Sequence, residues 1–296
     1  MTSFAYRLAR EEDLETTYSV FRTASNHLLG QRNLPQVPLS PTPPVRSMAF
    51  RRHALLYDTP RFWIAEVDAQ PVGFGIATLR AHLWYLAALH VEPEWQGYGL
   101  GSELLRRCLA GAEQARDRLA ISDTINPHSN ALYARHGLFQ RLPLIELSGP
   151  TPTATIAGIK TIARDAVPWD EVDRLDLGTL GITRRVDHEY WLAAEQQELV
   201  GLSRDHALVA YGYVSQAGVG PACAVDDETL GEFILSALTL NSSDTLRAVK
   251  LAGTATATIA SLLRAGFRYR HVLLLNGSSE LNGFDRYAVS VSDALL

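Results

Sequence analysis

The chain reads as an α/β protein, with mixed sheets flanked by helices, built from two similar halves. Three observations carry that reading. Strand-length apolar runs and helix-period stretches follow one another through residues 4–147 as strand, two helices, three strands, helix, strand, helix, strand. A segment rich in Pro, Gly and Thr, Ser148–Gly158, then reads as a linker, after which a comparable order begins again. The first half also contains a strand that runs through a glycine turn into an amphipathic helix, Trp84–Leu105.

Taken in order, Phe4–Leu8 is a short strand, and Glu11, Glu12 and Asp13 place acids in the first turn of a helix that ends before Gly30. Residues 31–45 hold five prolines and are predicted to be a long, stiffened surface loop. Met48–Tyr57 is a helix with a basic face formed by Arg46, Arg51, Arg52 and His53. Phe62–Val67 and Val72–Leu79 form a hairpin, Trp84–Val91 is the next strand, and a helix is expected over 102–115. Leu119–Ser122 is a buried strand, 127–136 a helix and 138–147 a final strand. Beyond the linker come strand 159–163, helix 169–177, strands 197–202, 207–215 and 219–225, helix 227–239, strand 246–251, helix 255–265 and strand 267–275. The predicted domains are therefore 1–149 and 150–296.

Composition bounds the function. With 47% apolar and 20% charged residues, 296 residues suffice for two ordinary globular domains. The net charge of -5 is uneven: residues 1–149 carry 15 arginines and 14 acids, whereas residues 150–296 carry 12 basic and 18 acidic residues. Neither half has the charge of a nucleic-acid binder. Two cysteines, Cys108 and Cys223, do not make a disulfide framework. The first residues hold no apolar core, and no stretch reaches the ~18 apolar residues of a membrane span, so a soluble cytoplasmic protein is expected. Nothing in the sequence suggests a metal site.

The glycine turn is suited to an anion. Backbone N–H groups at the turn and at the helix N-terminus lack internal partners, and the helix dipole favours negative charge there. Glycine permits φ > 0 and close approach of a phosphate. A dinucleotide fold fits less well, because its third glycine would fall at Ser102 and its loop should follow the first strand.

Gln96-Gly97-Tyr98-Gly99-Leu100-Gly101 resembles the acetyl-CoA signature of the GNAT superfamily of N-acetyltransferases, with Gln96, Gly99 and Gly101 at the fixed positions. Asn126 to Leu138 resembles that family's Asn/Ala/Tyr/Gly helix, with Leu138 where Phe is usual. The resemblance implies two GNAT domains in tandem, each with a mostly antiparallel mixed sheet. It implies acetyl-CoA as cosubstrate and an acceptor that is a primary amine of a small molecule or peptide. It also implies that Gly97, Tyr98, Gly99, Gly101 and Ser102 cradle the pyrophosphate. Backbone groups of Leu89 and Val91 would meet the pantetheine arm and acetyl carbonyl along a splayed strand. Asn126 and Asn130 would lie beside the cofactor, and Tyr133 would donate a proton to the departing sulfur.

The general base is not evident, since strand 83–91 holds no carboxylate. Period-2 alternation places Tyr85 on one face with Leu89 and Val91, and His82 and His90 on the other, which makes Tyr85 the preferred candidate. In the second half, Arg264-Ala265-Gly266-Phe267 repeats Arg135-His136-Gly137-Leu138, while Val225–Gly231 is short and acidic where the glycine loop should be. The second half is expected to be a degenerate repeat without a cofactor site, so the chain could act as a monomeric pseudo-dimer or as a homodimer. A non-catalytic acyl-CoA sensor and a mycothiol-synthase-like acetyltransferase are the rival functions.

Overall fold

In a computed structural model the described residues are 4–37, 43–153, 156–193, 197–240, 245–291 and 295–296. They form two compact units, Met1–Ala120 with Ile125–His136, and Ile121–Thr124 with Gly137–Leu296.

The first unit comprises β1 (Phe4–Leu8), α1 (Leu14–Gln31), α2 (Val45–Tyr57), β2 (Phe62–Val67), β3 (Gln70–Arg80), β4 (Leu83–Val91), α3 (Leu100–Cys108), the first part of β5 (Asp117–Asp123), and α4 (Pro127–Arg135). The strands lie in the order β1-β2-β3-β4-β5, antiparallel except for the parallel pair β4–β5. Helix α3 turns Leu100, Leu104, Leu105 and Cys108 inward, and Leu100 and Leu104 meet Val91, Ala65, Val67 and Val72. Each such leucine contributes about 2 kcal/mol by burial. Glycines in β3 let the helix come this close: a Cβ on Gly75 would stand 2.8 Å from the Cys108 sulfur. The helix is shorter than the predicted 102–115, because the chain turns at Gly111 with φ 75°.

One irregularity in β4 reorganises the sheet's faces. Ile76 is opposite Ala88 but Ala77 is opposite Leu86, so Ala87 is an extra residue, a β-bulge. Residues directly opposite one another share a face, so Tyr85 (opposite Thr78), Ala88 (opposite Ile76) and His90 (opposite Phe74) lie together. Leu86, Leu89 and Val91 lie on the other face. This corrects the alternation argument: Tyr85 shares a face with His90, not with Leu89 and Val91. An unbroken period of two cannot anticipate an inserted residue.

The second unit holds β6 (Phe139–Gly149), β7 (Ile159–Thr161), α5 (Trp169–Thr179), α6 (Arg185–Ala193), β8 (Gln197–Arg204), β9 (Ala207–Ser215), β10 (Gly218–Ala224), α7 (Asp227–Leu240), β11 (Arg247–Ala252), α8 (Thr256–Arg264), β12 (Arg268–Gly277) and β13 (Tyr287–Val289). The run from β8 to β12 repeats the order from β2 to β6. The matching helix ends coincide as well, with Gly137 and Gly266 both left-handed at φ 79° and 91°. Two elements, α6 and β13, have no counterpart in the sequence reading. Residues 38–42 of the proline-rich loop and 154–155 of the linker lie outside the described residues. Ser148 and Gly149, read as the start of the linker, instead close β6.

Strand β6 runs between β11 and β12 in the second unit, with Gly149 opposite Arg247 and Leu147 opposite both Val249 and Tyr269. Its Ile145 and Leu147 enter the apolar core built by β8–β11, α7 and α8. A fragment ending at Gly149 would retain this strand without either neighbour, leaving apolar groups and two unpaired edges exposed. Expression of residues 1–149 alone is expected to give aggregated or poorly soluble protein by ultracentrifugation. A monomeric, soluble fragment would show that β6 does not need β11 and β12.

Candidate active site

The glycine turn has the backbone its sequence suggests. Gly97 and Gly99 are left-handed at φ 87° and 89°, and Gly99 is the residue before the first turn of α3. The first bond of that helix is Glu103 N–H to Gly99 O, 3.1 Å, so the N–H groups of Leu100, Gly101 and Ser102 precede the helical ladder. A Cβ built on Gly97 or Gly99 meets nothing within 4 Å, which leaves open space over both residues. Gly101 differs: its added Cβ would make ordinary contact with Leu132 at 3.6 Å. The Gln96 side chain donates to Val91 O at 2.9 Å and ties the turn to the end of β4. Tyr98 is exposed, its ring 6.2 Å from Phe4 and 6.0 Å from Trp95.

The edge of β4 beside this turn is open. β4 pairs with β5 from Leu83 (opposite Asp117) to Leu86 (opposite Ala120), and among the described residues Ala87–Val91 have no strand on that side. The Glu92 N–H bonds to Val72 O at 2.8 Å, so the opposed residues Val91 and Gly73 form a non-hydrogen-bonded pair. The N–H and C=O of Val91, and of Leu89 two residues before, therefore point away from β3 into the opening.

Helix α4 borders the same region. The Asn126 side-chain oxygen caps it, accepting from Ser129 N–H at 3.1 Å, and Asn130 lies on the first turn. The Ser102 hydroxyl meets His136 Nε2 at 3.2 Å, joining the start of α3 to the end of α4. Tyr133 is buried, and burial pushes its phenol up to about 12, partly opposed by a hydrogen bond with Ser129. It therefore stays a proton donor through neutral and alkaline pH.

On the opposite face of β4 the open stretch presents His90. Its ring lies 4.9 Å from the Phe21 ring and 5.4 Å from the Phe74 ring. Burial, helped by the charge of Arg51, lowers it to about 4, so the imidazole is neutral at pH 7. Tyr85 is buried in the stretch still paired with β5, before the bulge. The sequence reading ranked Tyr85 above His90; the bulge and the end of the β4–β5 pairing put His90, not Tyr85, beside the opening. Among the described residues no group of three or more His, Cys, Asp or Glu could hold a metal ion.

The corresponding place in the second unit is filled by the chain itself. β10 and β11 pair at Gly218 and Ala248, and then β13 enters between them, with Ala288 opposite both Ala222 and Leu251. A strand thus takes the slot that stays open beside β4. The Asp227 carboxylate accepts from Ala257 N–H and Thr258 N–H at 2.8 and 2.9 Å, and Asp226 accepts from Thr229 N–H at 2.7 Å, so the helix starts already hold anions.

Residues 29–138 match the model of the acetyltransferase (GNAT) family. No curated protein matches the sequence. Among solved structures, a candidate acetyltransferase from Pyrococcus horikoshii aligns with a TM-score of 0.78 at 17% identity, over 98% of this chain and 95% of that one. A GCN5-related N-acetyltransferase from Sphaerobacter thermophilus aligns with a TM-score of 0.60 at 13% identity, over 98% of each chain. A tandem GNAT protein from the clavulanic acid biosynthesis pathway gives 0.56 at 15% identity, over 93% of this chain and 98% of that one. At these identities the structural likeness speaks for the fold.

Calorimetry is expected to find one acetyl-CoA bound per chain; two would mean that β13 yields its slot. Gly99→Val forces a β-branched residue to positive φ and fills the open space, so it should weaken acetyl-CoA binding by about tenfold or more. Gly101→Ala, which meets only an ordinary contact, should bind as the parent does. Equal affinity for both variants would remove the turn from the site.

Proposed function

We propose that the first half, residues 1–149, within which residues 29–138 match the GNAT acetyltransferase family model, transfers an acetyl group from acetyl-CoA to a primary amine of a small molecule or peptide. The observation that carries the reading is the open edge of β4, Ala87–Val91, ending beside a left-handed glycine turn whose helix N-terminus is uncapped by any side chain. A pyrophosphate suits the N–H groups of residues 99–102, and an extended amide-bearing arm suits a strand edge with Leu89 and Val91 pointing outward.

Acetyl transfer forms a C–N bond to the amine and breaks the C–S bond of the thioester. The oxygen that gains negative charge needs a donor, and Val91 N–H supplies one on an element held rigid by β3 and Gln96. The departing sulfur needs a proton, and Tyr133 holds one that burial keeps in place. The amine must give up a proton, and His90, a neutral imidazole on the face away from α3, is assigned to accept it, its lowered pKa favouring the later release of that proton. Tyr85 supports that wall from the paired stretch. The second half acts without a cofactor of its own, and both cysteines are free and buried, which suits the cytoplasm.

A free-thiol release assay with acetyl-CoA against a panel of amines tests the proposal. Tyr133→Phe should lower kcat roughly 10²-fold and leave the KM for acetyl-CoA nearly unchanged. Because burial raises the phenol to about 12, its donor form persists below that pH, so the parent enzyme should show no descending limb from this group up to about pH 11. Parental turnover in Tyr133→Phe at every pH would assign the proton to another group.

A further inference from the structure

The α1–α2 layer over the His90 face carries buried positive charge without negative partners. Arg51 is 5% exposed, and its guanidinium bonds to neutral oxygens: Thr17 Oγ1 at 2.9 Å, Ser47 Oγ at 2.6 Å, Ser47 O at 3.2 Å and Thr17 O at 3.4 Å. It lies 5.6 Å from the Tyr18 ring, 5.9 Å from Phe21 and 5.6 Å from Phe74. Phe21 and Phe74 are also the two rings packed against His90. Arg22, 9% exposed, stands 5.8 Å from the same Phe21 ring, donates to Val37 O at 2.8 Å, and buries its Nε without a partner. Two cations thus flank one ring beside His90, and neither pairs with a carboxylate among the described residues.

The surroundings make this unusual. Helices α1 and α2 contain one acid, the exposed Glu15, against Arg22, Arg46, Arg51 and Arg52. By contrast, buried Arg80 is neutralised by Asp58 at 2.9 Å and buried Arg184 by Asp176 at 3.1 Å. Burying a guanidinium without a counter-ion is costly, and burial pulls Arg51 down to about 10. An anion delivered by a ligand would recover that cost. It would also offset the charge that holds the His90 imidazole low, at the moment an amine arrives beside it.

Resting on the acetyltransferase reading above, we propose that Arg51, backed by Arg22, is the anion-binding point of the acceptor subsite, and that the amine acetylated here carries a carboxylate. Acceptors of the amino-acid or acidic-peptide class fit this arrangement. Polyamines and aminoglycosides, which bring only positive charge, would meet Arg22 and Arg51 with like charge and are disfavoured.

The test is thiol release by the full chain with acetyl-CoA and a panel of amino acids and dipeptides, each beside its own carboxamide. Carboxylates should exceed carboxamides roughly 10²-fold in kcat/KM, as expected for loss of one partner of a buried charge pair. Arg51→Gln should abolish that ratio mainly through the acceptor KM, with Arg51→Lys recovering part of it. Acetyl-CoA affinity measured by calorimetry should stay at the parental value in both variants and serves as the check on folding. If Arg51→Gln fails that check, the acid-to-amide ratio of the parent enzyme decides alone. Equal use of acids and amides, or an Arg51→Gln loss that is the same for both, overturns the subsite while leaving the transferase intact. Binding of acetyl-CoA with no thiol release from any amine overturns the transferase reading itself, and the subsite with it.

Discussion

The site depends on two parallel strands that part company. β4 and β5 share the residues from Leu83 to Leu86 and then separate, which leaves the last five residues of β4 with backbone groups that face no strand. An open strand edge inside a protein is ordinarily a liability, because its N–H and C=O groups are unsatisfied and cannot pair with themselves. Here it is held open by features on both sides. The bulge at Ala87 falls at the point of separation, Gln96 ties down the strand's end, and α3 packs closely onto Gly73 and Gly75 of the neighbouring β3.

The second unit shows what the same divergence becomes when the chain closes it. β13 pairs with β10 on one side and β11 on the other, satisfying the edges that remain free beside β4. The buried polar groups follow the same contrast. Burial alone would raise the Asp176 carboxyl, but Arg184, His188 and Tyr211 surround it and hold it well below the usual carboxylate range. That network is complete within the fold, with His188 bonded to Asp176 and to Tyr213, both at 2.8 Å. In the α1–α2 layer of the first unit, Arg51 and Arg22 have only neutral oxygens as partners. In the second unit β13 closes the strand edges and Asp176 neutralises Arg184, whereas the first unit keeps an open edge on β4 and two buried arginines that pair with no carboxylate among the described residues.

Much of this was legible in the sequence because it rests on local chemistry. Gly97 and Gly99 announce positive φ, Asn126 announces a helix cap, and Gly137 and Gly266 announce two matching helix ends. The acidic run Asp226-Asp227 announces helix starts supplied with negative charge by the chain itself. What escaped was set by tertiary pairing. Ala87 has nothing in its side chain to mark it as the extra residue of a bulge, yet it decides which face Tyr85 and His90 occupy. β13 is three residues long and lies far along the chain from the strands it separates, so no periodicity reveals it. The basic face of α2 was visible as a list of residues, but the burial of Arg51 against Phe21 and Phe74 needed the packing.

The arrangement also explains why a half without an open slot is retained. β6 continues directly from the glycine-turn half of the sequence, yet it pairs with β11 and β12 and buries Ile145 and Leu147 in the core of the second unit. Losing residues 150–296 would strip β6 of both neighbours, so strand pairing alone is a reason for the later half to persist. Its slot is filled by β13, and its helix starts accept the carboxylates of Asp226 and Asp227. Each of these partners comes from the chain itself and satisfies backbone groups in the core against which β6 packs.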